Sequence, residues 1–141
     1  MDIQDIVEIQ QLESFCHHAV DSADQSLFPQ VFTEDARFDA RLCGGPLCEG
    51  IEAITAFFAL GKPPHPASHH MTNCWVHEEE GRVLAKMKWM VPDRNIDRMW
   101  GGENNDWVVR TDKGWRIKER IAILLYPEDL RIVGAASARP E

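Results

Sequence analysis

Asp21 and His70 are the residues of this sequence whose side-chain types and positions best suit acid–base chemistry. Asp21 ends an amphipathic segment with helical periodicity, where a lone carboxylate opposes the helix dipole and is a costly choice. His70 lies in a run that alternates like a strand. A carboxylate that reaches an imidazole orients the ring and makes it a general base near neutral pH. We therefore take Asp21 and His70 as candidate catalytic residues.

Strand alternation decides which of the two adjacent histidines, His69 and His70, faces the interior. Successive side chains of a strand point to opposite faces, so only one of the pair can point inward. His70 shares its face with Thr72, Cys74 and Val76, and we expect this face to be the inner one. The alternative is an ordinary buried histidine bonded to a backbone carbonyl.

The remaining histidines and cysteines have simpler interpretations. We expect His17 and His18 to lie on the surface, where the last turns of a helix favour positive charge. The pair Cys43 and Cys48 lacks the two-to-four-residue gap of a zinc knuckle, and no second pair follows it. No glycine loop with a following lysine suggests a phosphate site. The sequence thus predicts neither a metal nor a cofactor.

Several other residues could contact a substrate. Arg120, on the last predicted strand, could hold an anionic leaving group or carboxylate, or could pair with a surface acid such as Glu119. Asp106 could be a second acid, although a surface position on a hairpin is the expectation that we prefer. The large aromatic residues should mainly fill the core, and a few, with Phe57 and Trp89 as candidates, should line an apolar cavity.

Composition indicates one acidic globular domain. The chain has 141 residues, 44% of them hydrophobic, and a formal net charge of −8. This charge repels phosphate backbones and anionic lipids, so we expect neither a nucleic-acid nor a membrane partner. The acidic start does not resemble a signal peptide, which predicts a cytoplasmic protein with four reduced cysteines.

Periodicity predicts helices first and strands later, the order typical of an α+β fold. A long helix over residues 3–21 precedes a short helix over 25–32, a hairpin around Gly44 and Gly45, and a third helix from Ile51. Extended segments then follow at residues 68–78, 82–91, 99–111 and 114–126. We expect a single domain over residues 1–133 and a flexible tail over 134–141.

Five local strings in this order resemble the SnoaL-like branch of the nuclear-transport-factor-2-like (NTF2-like) superfamily. The strings are AVDSAD (19–24), FTEDARF (32–38), GIEAI (50–54), HMTN (70–73) and RTDKGWRI (110–117), and the resemblance extends from residue 6 to about residue 125. The resemblance implies a cone: a curved, mostly antiparallel sheet wrapped around a pocket, with N-terminal helices over its mouth.

The resemblance also implies roles for particular residues. Scytalone dehydratase and related enzymes of the superfamily use a helix-end Asp with a strand His about fifty positions later, which matches Asp21 and His70. Two positions depart from their pattern. Cys16 stands where dehydratases often have a tyrosine, which makes it a candidate substrate contact, and His69 stands where an arginine is usual.

These observations together predict a cofactor-independent lyase of the dehydratase type, acting on a cyclic or aromatic, polyketide-like small molecule. Two alternatives stay open: an isomerase of the ketosteroid-isomerase kind, and a non-catalytic module that binds a small ligand. We also expect the exposed face of the sheet to be covered by further copies of the chain, in a homodimer or homotrimer.

Overall fold

A computed structural model describes residues 1–62, 64–92, 97–130 and 140. Helix α1 (Ile3–Asp21) begins after the N-cap residue Asp2. The Asp2 side chain accepts a hydrogen bond from the backbone N–H of Asp5, and the Asp5 side chain accepts a hydrogen bond from the backbone N–H of Asp2. The buried face of α1 includes the apolar residues Ile9, Leu12, Cys16, Ala19 and Val20. A 3₁₀ helix (Gln25–Gln30) follows α1, somewhat shorter than the helix predicted over residues 25–32.

Six strands form one curved sheet. They are β1 (Phe32–Asp39), β2 (Leu47–Glu49), β3 (His70–Glu79), β4 (Arg82–Pro92), β5 (Met99–Thr111) and β6 (Gly114–Tyr126), with helix α2 (Ile51–Phe58) between β2 and β3. Their order across the sheet is β2-β1-β6-β5-β4-β3. Among the described strands, β1 and β6 pair in parallel and the other pairings are antiparallel. The predicted α+β, mostly antiparallel architecture is confirmed.

The helices cover the concave face of this sheet and form the main core with it. Helix α1 contacts β3 and β6, and α2 contacts β1 and β2. Fully buried residues from every layer meet there, including Ile9, Phe28, Ile54, Met87 and Ile117. Burial of this apolar surface supplies the main driving force for folding, at about 25 cal/mol per Å².

Some expectations about element bounds and aromatic burial change. The first strand, β1, begins at Phe32 and ends at Asp39, and the next residues, Arg41–Cys43, form a 3₁₀ turn. Trp75, expected in the core, is 60% exposed and stacks on His77 at 4.0 Å. Of the predicted tail, only Pro140 lies within the described residues. None of the described helices is long and apolar enough to span a membrane.

Candidate functional site

Helix α1 carries three ionisable side chains on its buried face, at four-residue spacing: Glu13, His17 and Asp21. Residues four apart lie on the same side of a helix, so these three follow the apolar stripe toward the C-terminus. Glu13 is 0% exposed and His17 is 6% exposed. Burial of such groups requires polar partners, which β3, β5 and β6 supply.

Asp21 at the end of α1 bonds His69 through both carboxylate oxygens. Its Oδ1 lies 2.6 Å from His69 Nδ1, and its Oδ2 accepts a hydrogen bond of 2.8 Å from the His69 backbone N–H. A carboxylate can only accept, so Nδ1 carries the hydrogen, and in the neutral ring Nε2 then has the lone pair. Both side chains are about four-fifths buried, at 18% and 20% exposure. The two bonds hold the imidazole in the tautomer that a general base requires.

The predicted contact between Asp21 and His70 is wrong, because the partner of Asp21 is His69. His70 is exposed, and its Nε2 lies 3.4 Å from the Ser68 hydroxyl. The cause is a β-bulge in β3: Thr72 pairs with Lys88 and Trp75 with Lys86, so two residues oppose one. Within this bulge Asn73 adopts φ +54°.

This bulge reverses the alternation on which the prediction rested. After it, Val76 pairs with Ala85, and both are buried against the core. Before it, Met71 pairs with Trp89 and His70 with Met90. Trp89 and Ala85 share one face of β4, so Met71 faces inward and His70 outward. His69, immediately before β3, falls on the inner side.

The surroundings of Asp21 favour its charged form. Partial burial raises the pKa of this carboxyl, but the hydrogen bonds from the ring and backbone N–H of His69, with attraction from His69 and Lys62, lower it more. The net pKa of Asp21 is below its usual value of 3.8. Lys62 also holds the segment in place, because its ammonium bonds the carbonyl oxygens of Asp21 and Ala67.

His17 is buried, so the expected surface position is wrong for this residue, whereas His18 is exposed as predicted. The Nδ1–H of His17 donates to the Glu13 carbonyl oxygen at 2.9 Å. Burial, and then repulsion from Arg120 and His69, lowers the pKa of His17 to about 3. His17 is therefore neutral at physiological pH, with a lone pair on Nε2. Its ring centroid lies 5.6 Å from that of His69.

Arg120 is the centre of a second buried cluster, next to His17. Its Nε lies 3.0 and 2.9 Å from the two carboxylate oxygens of Asp106, its neighbour across the β5–β6 pairing. Its Nη2 bonds the carboxyl of Glu13, and its Nη1 donates to Cys16 Sγ at 3.1 Å. The surface position that we preferred for Asp106 is wrong, because this residue is 1% exposed.

One positive charge faces two acids in this cluster. Burial, and then repulsion from Asp106, raises the pKa of Glu13 well above its usual value, against the attraction of Arg120. This environment favours the protonated form of Glu13, and Arg120 makes its remaining carboxylate contacts with Asp106. The Oε1 atom of Glu13 is buried and has no hydrogen-bond partner. Burial also raises the pKa of the Cys16 thiol to about 12, which keeps it neutral.

The two predicted aromatic contacts, Trp89 and Phe57, lie elsewhere on the same inner surface. The indole ring of Trp89 lies against Gly102 of β5. A Cβ added to Gly102 would lie 2.3 Å from this ring. Phe57 is half-buried on α2, with its ring 4.6 Å from the ring of His65. Whether these side chains contact a substrate stays a prediction, as it does for Cys16, Asp106 and Arg120.

Two further features of the described residues bear on binding. A groove of about 660 Å³ lies between α1 and the β5–β6 hairpin, lined in part by Val7, Phe15 and Trp115. It is separate from the Asp21–His69 pair. Within residues 1–62, 64–92, 97–130 and 140, no three His, Cys, Asp or Glu side chains are arranged to hold a metal ion.

Glu13, His17 and His69 are the site residues that sequence reasoning missed. For His17 and Glu13 a signal was present, since both follow the apolar stripe of α1 at four-residue spacing and Asp21 continues it. For His69 the signal is Asn73, since asparagine adopts positive φ more readily than most residues.

Comparison with solved structures places the fold. A crystal structure described as a "putative aromatic ring hydroxylase" from Novosphingobium aromaticivorans shares 31% identity over 90% of this chain and 93% of its own, with a TM-score of 0.72. An NTF2-like protein with a cystatin-like fold from the same organism shares 20% identity over 95% and 88% of the two chains, with a TM-score of 0.75.

A third structure, described as a "putative scytalone dehydratase" from Novosphingobium aromaticivorans, shares 17% identity over 84% of this chain and 83% of its own, with a TM-score of 0.65. At this identity the likeness concerns the fold alone. No curated protein matches the chain significantly. The family model of the SnoaL-like domain matches residues 1–121. The chain therefore belongs to the SnoaL-like domain family and has an NTF2-like fold.

Proposed function

We propose that the protein is a cofactor-independent lyase that removes water from a cyclic or aromatic small molecule, with His69 as general acid/base and Asp21 as its orienting partner. The observation that carries this proposal is the double hydrogen bond from His69 to Asp21. This contact replaces His70 by His69 as the proposed general acid/base, and the proposed elimination chemistry is unchanged. The relative at 31% identity, described as acting on an aromatic ring, supports a cyclic substrate.

The reaction begins with proton transfer to His69. Its Nε2 lone pair removes a proton from a carbon next to a carbonyl or phenolic group, and the C–H electrons form an enolate. The imidazolium that results lies against the Asp21 carboxylate, which stabilises its charge. The depressed pKa of Asp21 keeps this carboxylate charged throughout the neutral range.

Departure of hydroxide completes the elimination. The enolate electrons form a carbon–carbon double bond as the C–O bond breaks, and the hydroxide takes the proton from His69 Nε2 to leave as water. His69 returns to its starting tautomer, held by Asp21, and atoms and charges balance. General acid–base catalysis of this kind typically contributes about 10² to 10⁴ in rate.

A screen of cyclic β-hydroxy ketones for loss of water tests the proposal. For a substrate found with wild type, His69→Gln should lower turnover by about 10² to 10⁴, because the base is lost. Asp21→Asn should also lower it strongly, because an amide cannot stabilise the imidazolium. His70→Gln is the matched control and should retain wild-type turnover. Equal turnover by wild type and His69→Gln would refute the assignment of the base.

A second candidate, an isomerase, is supported by the burial of Glu13 beside Asp106 and Arg120, which raises the pKa of its carboxyl well above its usual value. A carboxylic acid that stays neutral at pH 7 can donate a hydrogen bond to an enolate oxygen, as an isomerase of this fold requires. The mass of the product separates the candidates. A lyase product is lighter than its substrate by one water. An isomerase product has the same mass as its substrate when the reaction runs in H₂O, and it gains deuterium when the reaction runs in D₂O.

A further inference from the structure

His17 has a ring nitrogen, Nε2, that the proposed mechanism does not use. Its side chain is 6% exposed, and its Nδ1–H donates to the Glu13 carbonyl oxygen, so Nε2 carries the lone pair. Within residues 1–62, 64–92, 97–130 and 140, no hydrogen bond reaches this Nε2. This nitrogen is therefore open to a hydrogen bond from a ligand or water, on a side chain that is otherwise nearly enclosed by protein.

His69 repeats this arrangement on the neighbouring ring. Its Nδ1–H donates to Asp21, so Nε2 again carries the lone pair, and again no donor within the described part of the chain bonds it. The two ring centroids are 5.6 Å apart and the rings are inclined at 44°. Two imidazole rings, each with an unbonded Nε2, thus lie next to each other at the C-terminal end of α1.

The charges around these rings select the kind of ligand. His17 is neutral, because burial and Arg120 disfavour its charged form. Arg120 itself is occupied by Asp106, Glu13 and Cys16. A carboxylate or phosphate would meet the lone pair of His17 and gain no charge partner there, whereas a hydroxyl group offers the donor that this nitrogen lacks.

We propose that His17 and His69 form a paired-acceptor site that binds a small cyclic molecule through two adjacent hydroxyl groups. His17 thereby becomes a specificity-determining residue that selects a dihydroxylated ring over a ring with one hydroxyl. This inference rests on the proposed function, because it takes His69 Nε2 as an atom that faces the substrate.

Binding of three small compounds tests the inference: catechol, phenol and 1,2-dimethoxybenzene. By calorimetric titration, wild type should bind catechol about fivefold to tenfold more tightly than phenol, the effect of one net hydrogen bond. The dimethoxy compound has no donor and should bind more weakly than either. His17→Phe should bind catechol and phenol equally, while His18→Phe, at the exposed neighbouring position, should retain the preference.

NMR of ¹⁵N-labelled histidines gives a second measurement that needs no variant. Catechol should shift the Nε2 resonances of both His17 and His69, and dimethoxybenzene should leave them in place. Equal binding of the three compounds, an unchanged preference in His17→Phe, or catechol without effect on His17 Nε2 would each overturn the inference.

The outcome is separable from that of the proposed lyase activity. Both hydroxyl groups of catechol are on aromatic ring carbons and cannot leave in an elimination. Its binding is therefore measured without turnover. If catechol binds as expected while no cyclic alcohol loses water, the paired-acceptor site stands and the lyase proposal fails. If His69→Gln abolishes elimination but catechol does not bind, the lyase proposal stands and the paired-acceptor site fails.

Discussion

Replacement of Glu13 by glutamine tests the charge state that we assign to the buried Arg120 cluster. Glutamine has the shape of a protonated glutamic acid, and its oxygen can still accept the hydrogen bond from Arg120. If Glu13 keeps its proton in the folded state, Glu13→Gln removes a titration and preserves the contacts. The stability difference between the two proteins should then depend on pH in a defined direction.

The direction and size follow from proton binding. The folded-state pKa of Glu13 lies well above its usual value of 4.5, so above that pH the folded state binds one proton more than the unfolded state. Stability contributed by this group is full at low pH and is lost as pH rises, at about 1.4 kcal/mol per pH unit. Between pH 5 and pH 7, wild type should therefore lose stability relative to Glu13→Gln, with about 1.4 kcal/mol per pH unit as the upper limit for one proton.

Urea unfolding of both proteins at pH 5, 6 and 7 measures this difference. Other titrating groups are common to both proteins and cancel in the comparison. Glu34, which is exposed on β1, provides the control, and Glu34→Gln should follow the pH dependence of wild type. A stability difference that stays constant between pH 5 and pH 7, or that moves in favour of wild type, would show that Glu13 is ionised and would refute the reasoning.

Three further substitutions test the packing that positions the site, each by urea unfolding. Arg120→Met should cost about 3–5 kcal/mol, because it leaves the charge of Asp106 buried and unpaired; a loss below about 1 kcal/mol would contradict this. Asn73→Val should cost about 1–3 kcal/mol, because a β-branched residue tolerates φ +54° poorly, whereas Asn73→Gly should be nearly neutral. Gly102→Ala should cost about 1–3 kcal/mol, because the added Cβ would lie 2.0 Å from the Ile123 carbonyl oxygen and 2.3 Å from the Trp89 ring, and full stability would contradict this close approach of the β6 backbone.

Local sequence patterns predicted most of the fold. The apolar stripe of α1 and the four long extended segments correspond closely to the observed elements. These patterns are reliable because each depends on neighbours within one helix or strand, where periodicity follows from backbone geometry. The end of the second helix, predicted at residue 32 and observed at Gln30, was less accurate, because helix ends depend on contacts with the rest of the chain.

The candidate site was predicted only in part. Asp21 was identified because a carboxylate at the C-terminal end of a helix is unfavourable without a partner. His69 is that partner. His17 was misplaced, because a histidine in the last turns of a helix suits both the surface and the interior. The choice depends on Glu13 and Arg120, which become neighbours of His17 only in the folded chain.

The sequence by itself determined that an acid at the end of α1 would meet an imidazole from the start of the third strand, since the order of elements brings these two segments together. Which imidazole it meets was decided by tertiary structure. A single extra residue at Asn73 reverses the alternation of β3, and side chains before it exchange faces. The bulge arises from the pairing of β3 with β4. A two-residue periodicity along the sequence of β3 alone therefore does not predict it.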